Sequence, residues 1–83
     1  MLWTATGSMR RKPARQFSVT ETIAKAREEA GLSQRALSAR LHEVNNYIQR
    51  IESGQRDVGV AEFIRIAYAI GVDPCELLRA VIG

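Results

Sequence analysis

The sequence predicts an all-α fold, a compact domain of five short helices, and three observations carry that prediction. Helix-starting residues recur at Ser18, Ser33 and Asp73. Gly31, Gly54 and Gly71 stand where helical segments would end. No segment alternates apolar and polar residues with the period of a strand.

Residues 1–16, MLWTATGSMRRKPARQ, precede the first helical signal, lack an apolar period and contain Pro13. MLWTATGS stands before a second methionine and reads as a cloning scar over residues 1–8, with Met9 as the natural start. The basic remainder is expected to be a flexible arm. The folded domain is expected over residues 17–83.

The first helix opens at SVTE, where Ser18 caps and Glu21 reaches back to the cap's own amide. Ile23, Ala26, Arg27 and Ala30 then share one face at helical spacing. Gly31 closes the helix by taking a left-handed conformation, Leu32 supplies the apolar contact that follows such a stop, and Ser33 caps the next helix at once.

The second helix, QRALSARL, turns Leu37 and Leu41 inward and is followed by the turn His42, Glu43, Val44. The third is expected from Asn45 to Ser53, stopping at Gly54, and the loop QRDV follows. The fourth, VAEFIRIAYAIG, places Val60, Phe63, Ile64, Ala67 and Ile70 on one buried stripe between Gly59 as cap and Gly71 as stop. The fifth, DPCELLRAVI, has Asp73 as cap, Pro74 at the first helical position and Glu76 to complete a capping box, with Val72 stapling onto Leu77.

Composition narrows the function. At 46% hydrophobic and 25% charged, the chain belongs with globular domains, and 83 residues support a single small core for which a partner subunit is a natural supplement. Cys75 is the only cysteine and His42 the only histidine, which excludes an internal disulfide and a structural zinc site. No stretch approaches the length of a membrane span and no secretory signal is present, so a reducing cytoplasm is expected. The net charge of +3 is concentrated in the arm: Arg10, Arg11, Lys12 and Arg15 lie in the first fifteen residues, and the rest of the chain carries eight basic and nine acidic groups. Charge alone therefore argues weakly for a nucleic-acid partner.

The third helix carries the stronger argument. At about 100° per residue from Asn45, the residues Gln49, Ser53, Asn46 and Arg50 fall at roughly 40°, 80°, 100° and 140°, one continuous polar face. Val44, Tyr47, Ile48 and Ile51 collect opposite, enough to dock the helix while leaving its polar face outward. Asparagine and glutamine donate and accept at once and match adenine, and arginine forks onto guanine. Glutamate or lysine would suit a merely solvated face and favour the helix more, although asparagines near a helix start also serve as caps.

The pattern Q-x-x-L-S-x-x-x-H-x-x-x-x-x-I-x-x-I-E from Gln34 to Glu52, with GLSQ before it, RIESG at its end and the AIGVDP junction, resembles the phage repressor and Cro type (XRE) helix-turn-helix family over about residues 20–80. The resemblance implies a lambda-repressor-like fold whose second helix crosses the DNA backbone and whose third lies in the major groove. It assigns base reading to Asn45, Asn46, Gln49 and Arg50. It assigns phosphate contacts to Ser33, Gln34 and Arg35 at the start of the second helix and to Gln55 and Arg56 after the third. Arg27 and Glu52 match a family ion pair between the first and third helices.

Three positions depart from the family pattern. Ser38 replaces the usual alanine where two helices cross. His42 takes the turn position that is usually glycine and must adopt a left-handed conformation. Val44 stands where Ser or Thr normally caps the third helix, which either weakens the cap or moves the start to Asn45. Tyr47 is expected to pack beneath the fourth helix, with a phosphate contact as the alternative. The arm RRKPAR is either a minor-groove contact or a charged tail.

The implied protein is a dimeric regulator of transcription, a repressor on an inverted-repeat operator of double-stranded DNA, bacterial or phage-encoded, with no cofactor and no metal. The apolar residues Cys75, Leu77, Leu78, Val81 and Ile82 on the fifth helix place the homodimer contact there. The other reading is a protein interaction module that keeps the fold without binding DNA, and it would show little salt dependence in any DNA affinity. One histidine, one cysteine and no paired carboxylates give no nucleophile and base for an enzyme.

Overall fold

The computed structural model describes residues 18–82; the basic arm expected over residues 1–16 lies outside them. Among the described residues there are five helices and no strand: α1 (Val19–Glu29), α2 (Gln34–Arg40), α3 (Tyr47–Glu52), α4 (Val60–Ile70) and α5 (Pro74–Ile82).

Four of the five starts, those of α1, α2, α4 and α5, have a local cause. Ser18 Oγ accepts the Glu21 amide at 3.1 Å while Glu21 Oε1 accepts the Ser18 amide at 3.2 Å, a complete capping box. Ser33 Oγ accepts the Ala36 amide at 3.0 Å. At α5 the Asp73 carboxylate accepts from Cys75 N–H at 2.8 Å, one residue earlier than a capping box with Glu76 would require. Gly59, with no side chain to offer, is served by Glu62, whose Oε1 accepts the Gly59 amide at 3.1 Å.

The stops share one device. Gly31, His42, Gly54 and Gly71 all have positive φ, and the amide of the residue after each bonds back into the helix just finished. Leu32 bonds to the Arg27 carbonyl, Glu43 to Ser38, Gln55 to Arg50 and Val72 to Ala67, at 2.9–3.1 Å. His42, at φ 58, is the non-glycine member of this set. Chain reversals this tight let five short helices close on one another.

The core draws on every helix: Ile23 from α1, Leu37 and Leu41 around the end of α2, Tyr47, Ile48 and Ile51 from α3, Phe63, Ile66, Ala67 and Ile70 from α4, and Leu77 from α5. Helix α1 packs on α3, α4 and α5, and α2 packs on α3 and α4. Each fully buried isoleucine or leucine contributes about 1.5–3 kcal/mol of transfer free energy.

Packing changes three expectations. On α4 the buried stripe is Phe63, Ile66, Ala67 and Ile70, while Val60 is 79% exposed and Ile64 also reaches solvent. The period was right and its phase is shifted, because apolar residues surround much of α4 and the helices packed on it, α1, α2 and α5, select the side that is covered. On α1, Thr22 is buried and Ala30 exposed. Helix α3 begins at Tyr47, two residues after the expected start, and ends at Glu52.

Candidate nucleic-acid interface

Helices α2 and α3 are the most closely associated pair, and Ser38 explains how they are joined. Its fully buried hydroxyl donates to the Gln34 carbonyl at 2.9 Å and accepts the Ile48 amide at 3.1 Å. Ile48 is the second residue of α3, so its amide is one that the helix leaves without an internal partner. Asn46, at the cap position, makes no side-chain cap bond. The cap of α3 therefore comes from α2.

That arrangement leaves the polar side chains outward. Asn45 and Asn46 lie in the turn entering α3, and they are exposed together with Gln49 and Arg50, while Tyr47, Ile48 and Ile51 are buried behind them. Gln34, Arg35, Asn45, Asn46 and Gln49 line one shallow polar hollow between the starts of α2 and α3. A second hollow adjoins it, where Gln34, Gln49, Glu52 and Ser53 face Thr20, Glu21 and Ala24 of α1.

Beneath this surface lies an ion pair. Arg27 Nε donates to Glu52 Oε2 at 2.7 Å and Nη2 to Glu52 Oε1 at 3.0 Å, with the side chains only 11% and 9% exposed. The third arm, Nη1, donates to the Leu32 carbonyl at 2.8 Å. The bond to Glu52 holds the Arg27 pKa above its ordinary value. Gln34 joins the group through Nε2, which donates to Glu52 Oε1 at 2.8 Å, so a side chain expected to hold phosphate is tied inward at its amide nitrogen.

Sequence reasoning missed Glu62. Its Oε2 accepts the Tyr47 hydroxyl at 2.7 Å and pairs with Arg56, while Oε1 takes the Gly59 amide. Tyr47 thus packs against α4, and Arg56 lies over its ring at 5.2 Å from the centroid. Arg56, then the Gly59 amide and Tyr47, pull the Glu62 pKa from an ordinary 4.5 down to about 2. Burial, followed by the bond to Glu62, raises that of Tyr47. The G-V-A-E spacing, a capping box with glycine at the cap, was the available signal. Two further arginines hold helix ends: Arg40 Nη1 donates to the Ala69 carbonyl at 2.9 Å, and Arg65 Nη2 to the Leu41 carbonyl at 3.0 Å. Arg35 and Arg50 remain as exposed cations on the α2–α3 surface.

Two short helices locked at a tight left-handed turn, the second showing its polar edge to solvent, define a helix-turn-helix protein. The helix-turn-helix family model matches residues 23–77. A solved XRE-family like protein from Pseudomonas syringae pv. tomato str. DC3000 is 32% identical, with a TM-score of 0.71 over 76% of this chain and 77% of that one. A hypothetical transcription factor from Neisseria, 20% identical, shares the fold with a TM-score of 0.67 over 82% of this chain and 86% of its own. No curated protein matches the sequence. The chain belongs to the XRE-type helix-turn-helix family.

Proposed function

We propose that this protein binds double-stranded DNA at a specific sequence and represses transcription from the site it occupies. One observation carries the reading: Asn45, Asn46, Gln49 and Arg50 stand exposed together on an edge whose far side, Tyr47, Ile48 and Ile51, is buried. Donor and acceptor groups on a rigid support are what base-edge reading in the major groove needs. Arg50 suits guanine, and the amides suit adenine. The start of α2, with Ser33, Gln34 and Arg35, would then meet one stretch of phosphate backbone, Gln34 through its main-chain amide, with Gln55 and Arg56 beside it. Arg56 keeps 42% of its side chain exposed while paired to Glu62.

The proposed working form is a homodimer on an inverted repeat. An apolar groove of about 300 Å³ runs between α4 and α5, lined by Val60, Phe63, Ile64, Pro74, Cys75 and Leu78 among others. With Leu78 and Ile82 also exposed on α5, this is the surface a second copy would cover. The same groove supports the other reading, an interaction module that binds a different protein.

Selection from a randomised duplex library at near-physiological salt tests the proposal. The expected product is an inverted repeat with half-site centres about 34 Å apart, bound with a steep salt dependence. Failure to enrich any sequence, with a DNA affinity insensitive to salt, would favour the interaction module.

A further inference from the structure

Two arginine–glutamate pairs of the described residues are closed in different ways. Arg27 meets Glu52 through two bonds with both side chains nearly buried, and such a pair cannot part without stranding a buried charge. Arg56 meets Glu62 through Nη2 alone, and both side chains reach solvent, Arg56 the more. The Glu62 carboxylate keeps partners when the arginine leaves: Oε1 accepts the Gly59 amide at 3.1 Å and Oε2 the Tyr47 hydroxyl at 2.7 Å. Arg56 is likewise held without Glu62, since its backbone amide bonds to the Arg50 carbonyl at 3.2 Å and its guanidinium lies over the Tyr47 ring. Each partner is therefore anchored independently of the other, and the bond between them is free to open.

We propose that Glu62 sets the DNA affinity of this protein by competing with the phosphate backbone for Arg56: the pair is closed in the free protein and gives way to an Arg56–phosphate contact on the duplex. This assignment rests on the DNA-binding function proposed above. A cation that must leave a carboxylate to reach a phosphate adds less affinity than an exposed one such as Arg35. The restraint falls on every sequence alike, because the phosphate is the same in all of them. Glu62 thus lowers affinity for operator and random DNA together, while the choice between bases stays with α3.

The test is a double-mutant cycle of Glu62→Gln and Arg56→Ala in the full chain, with affinity measured on the selected operator and on a random duplex. Glu62→Gln keeps the shape of the side chain and removes its charge. It should tighten both duplexes alike, by about fivefold, the size expected for opening a solvent-exposed ion pair. In the Arg56→Ala background the same change should have little effect. An equal gain in that background would mean only that an acid has been taken away from the DNA, and would overturn the assignment. Unchanged or weaker binding by Glu62→Gln would overturn it as well, Glu62 then being idle or holding Arg56 toward the phosphate. Should Glu62→Gln fail to fold, the parent chain decides by carbon NMR. The Glu62 carboxyl resonance should move when duplex is added and that of Glu52 should stay, and a Glu62 resonance that stays would overturn the assignment. A parent chain that selects no sequence and binds no duplex would instead overturn the DNA-binding function, and this assignment with it.

Discussion

The hydroxyl of Ser38 accepts the amide hydrogen of Ile48 at 3.1 Å, so the first turn of α3 is capped by the helix before it. Ser38→Ala should leave that buried amide unpaired and cost about 1–3 kcal/mol, read by urea unfolding. A Ser38→Ala variant as stable as the parent would show that the bond is dispensable.

The Arg27–Glu52 pair predicts a marked asymmetry between breaking and replacing. Arg27→Met strands a nearly buried carboxylate and should cost about 3–5 kcal/mol, whereas Arg27→Met with Glu52→Leu should cost much less than the two single changes combined. Chemical denaturation of the three variants measures the coupling.

Glu62 predicts an acid-sensitive component of stability. Its pKa drops from 4.5 free to about 2 in the fold, so the stabilisation is complete above pH 4.5 and is lost as pH falls toward 2. Tyr47 acts at the other end: its pKa is raised above 10.0, so the stability it confers is complete below pH 10 and is lost at higher pH. Melting temperature followed from pH 7 down to pH 2 should fall less steeply in Glu62→Gln than in the parent.

His42 carries the conformational cost of φ 58 in an exposed turn. Replacement by glycine removes that cost and should stabilise the fold by about 0.5–1 kcal/mol, the gain being limited by the greater freedom of glycine in the unfolded chain. Thermal melting decides it: an unchanged midpoint would mean that the freedom of glycine in the unfolded chain cancels the gain, and a lower one that it outweighs it.

On DNA, Arg50 and Arg35 should separate. Arg50→Ala is expected to relax preference at one base pair and cost about 1–3 kcal/mol on the selected site. Arg35→Ala, like Arg56→Ala, is expected to weaken all sequences alike and reduce the salt slope by about one. Fluorescence anisotropy on specific and random duplexes distinguishes the two patterns.

Much of the architecture was legible because it is local. Ser18 with Glu21, Ser33 before QRAL, and Asp73 before Pro74 act within one helical turn, as do Gly31, Gly54 and Gly71, so a sequence-range argument finds them. The family pattern pointed to Asn45, Asn46, Gln49 and Arg50, and their exposure follows from the apolar residues interleaved with them.

Tertiary structure decided what lies between elements. The sequence determined five helices, their stops and a polar third helix, since capping and periodicity depend on near neighbours in the chain. Only the assembled fold decided that α4 buries Ile66 in place of Ile64, because both are apolar and the surrounding helices choose. It likewise decided that Ser38 caps α3, that Glu62 binds Tyr47, Arg56 and Gly59, and that Gln34 bonds to Glu52. A hydrogen bond acts over about 3 Å, whereas Gln34 and Glu52 lie eighteen residues apart in the chain, and that proximity exists only once α1, α2 and α3 have packed.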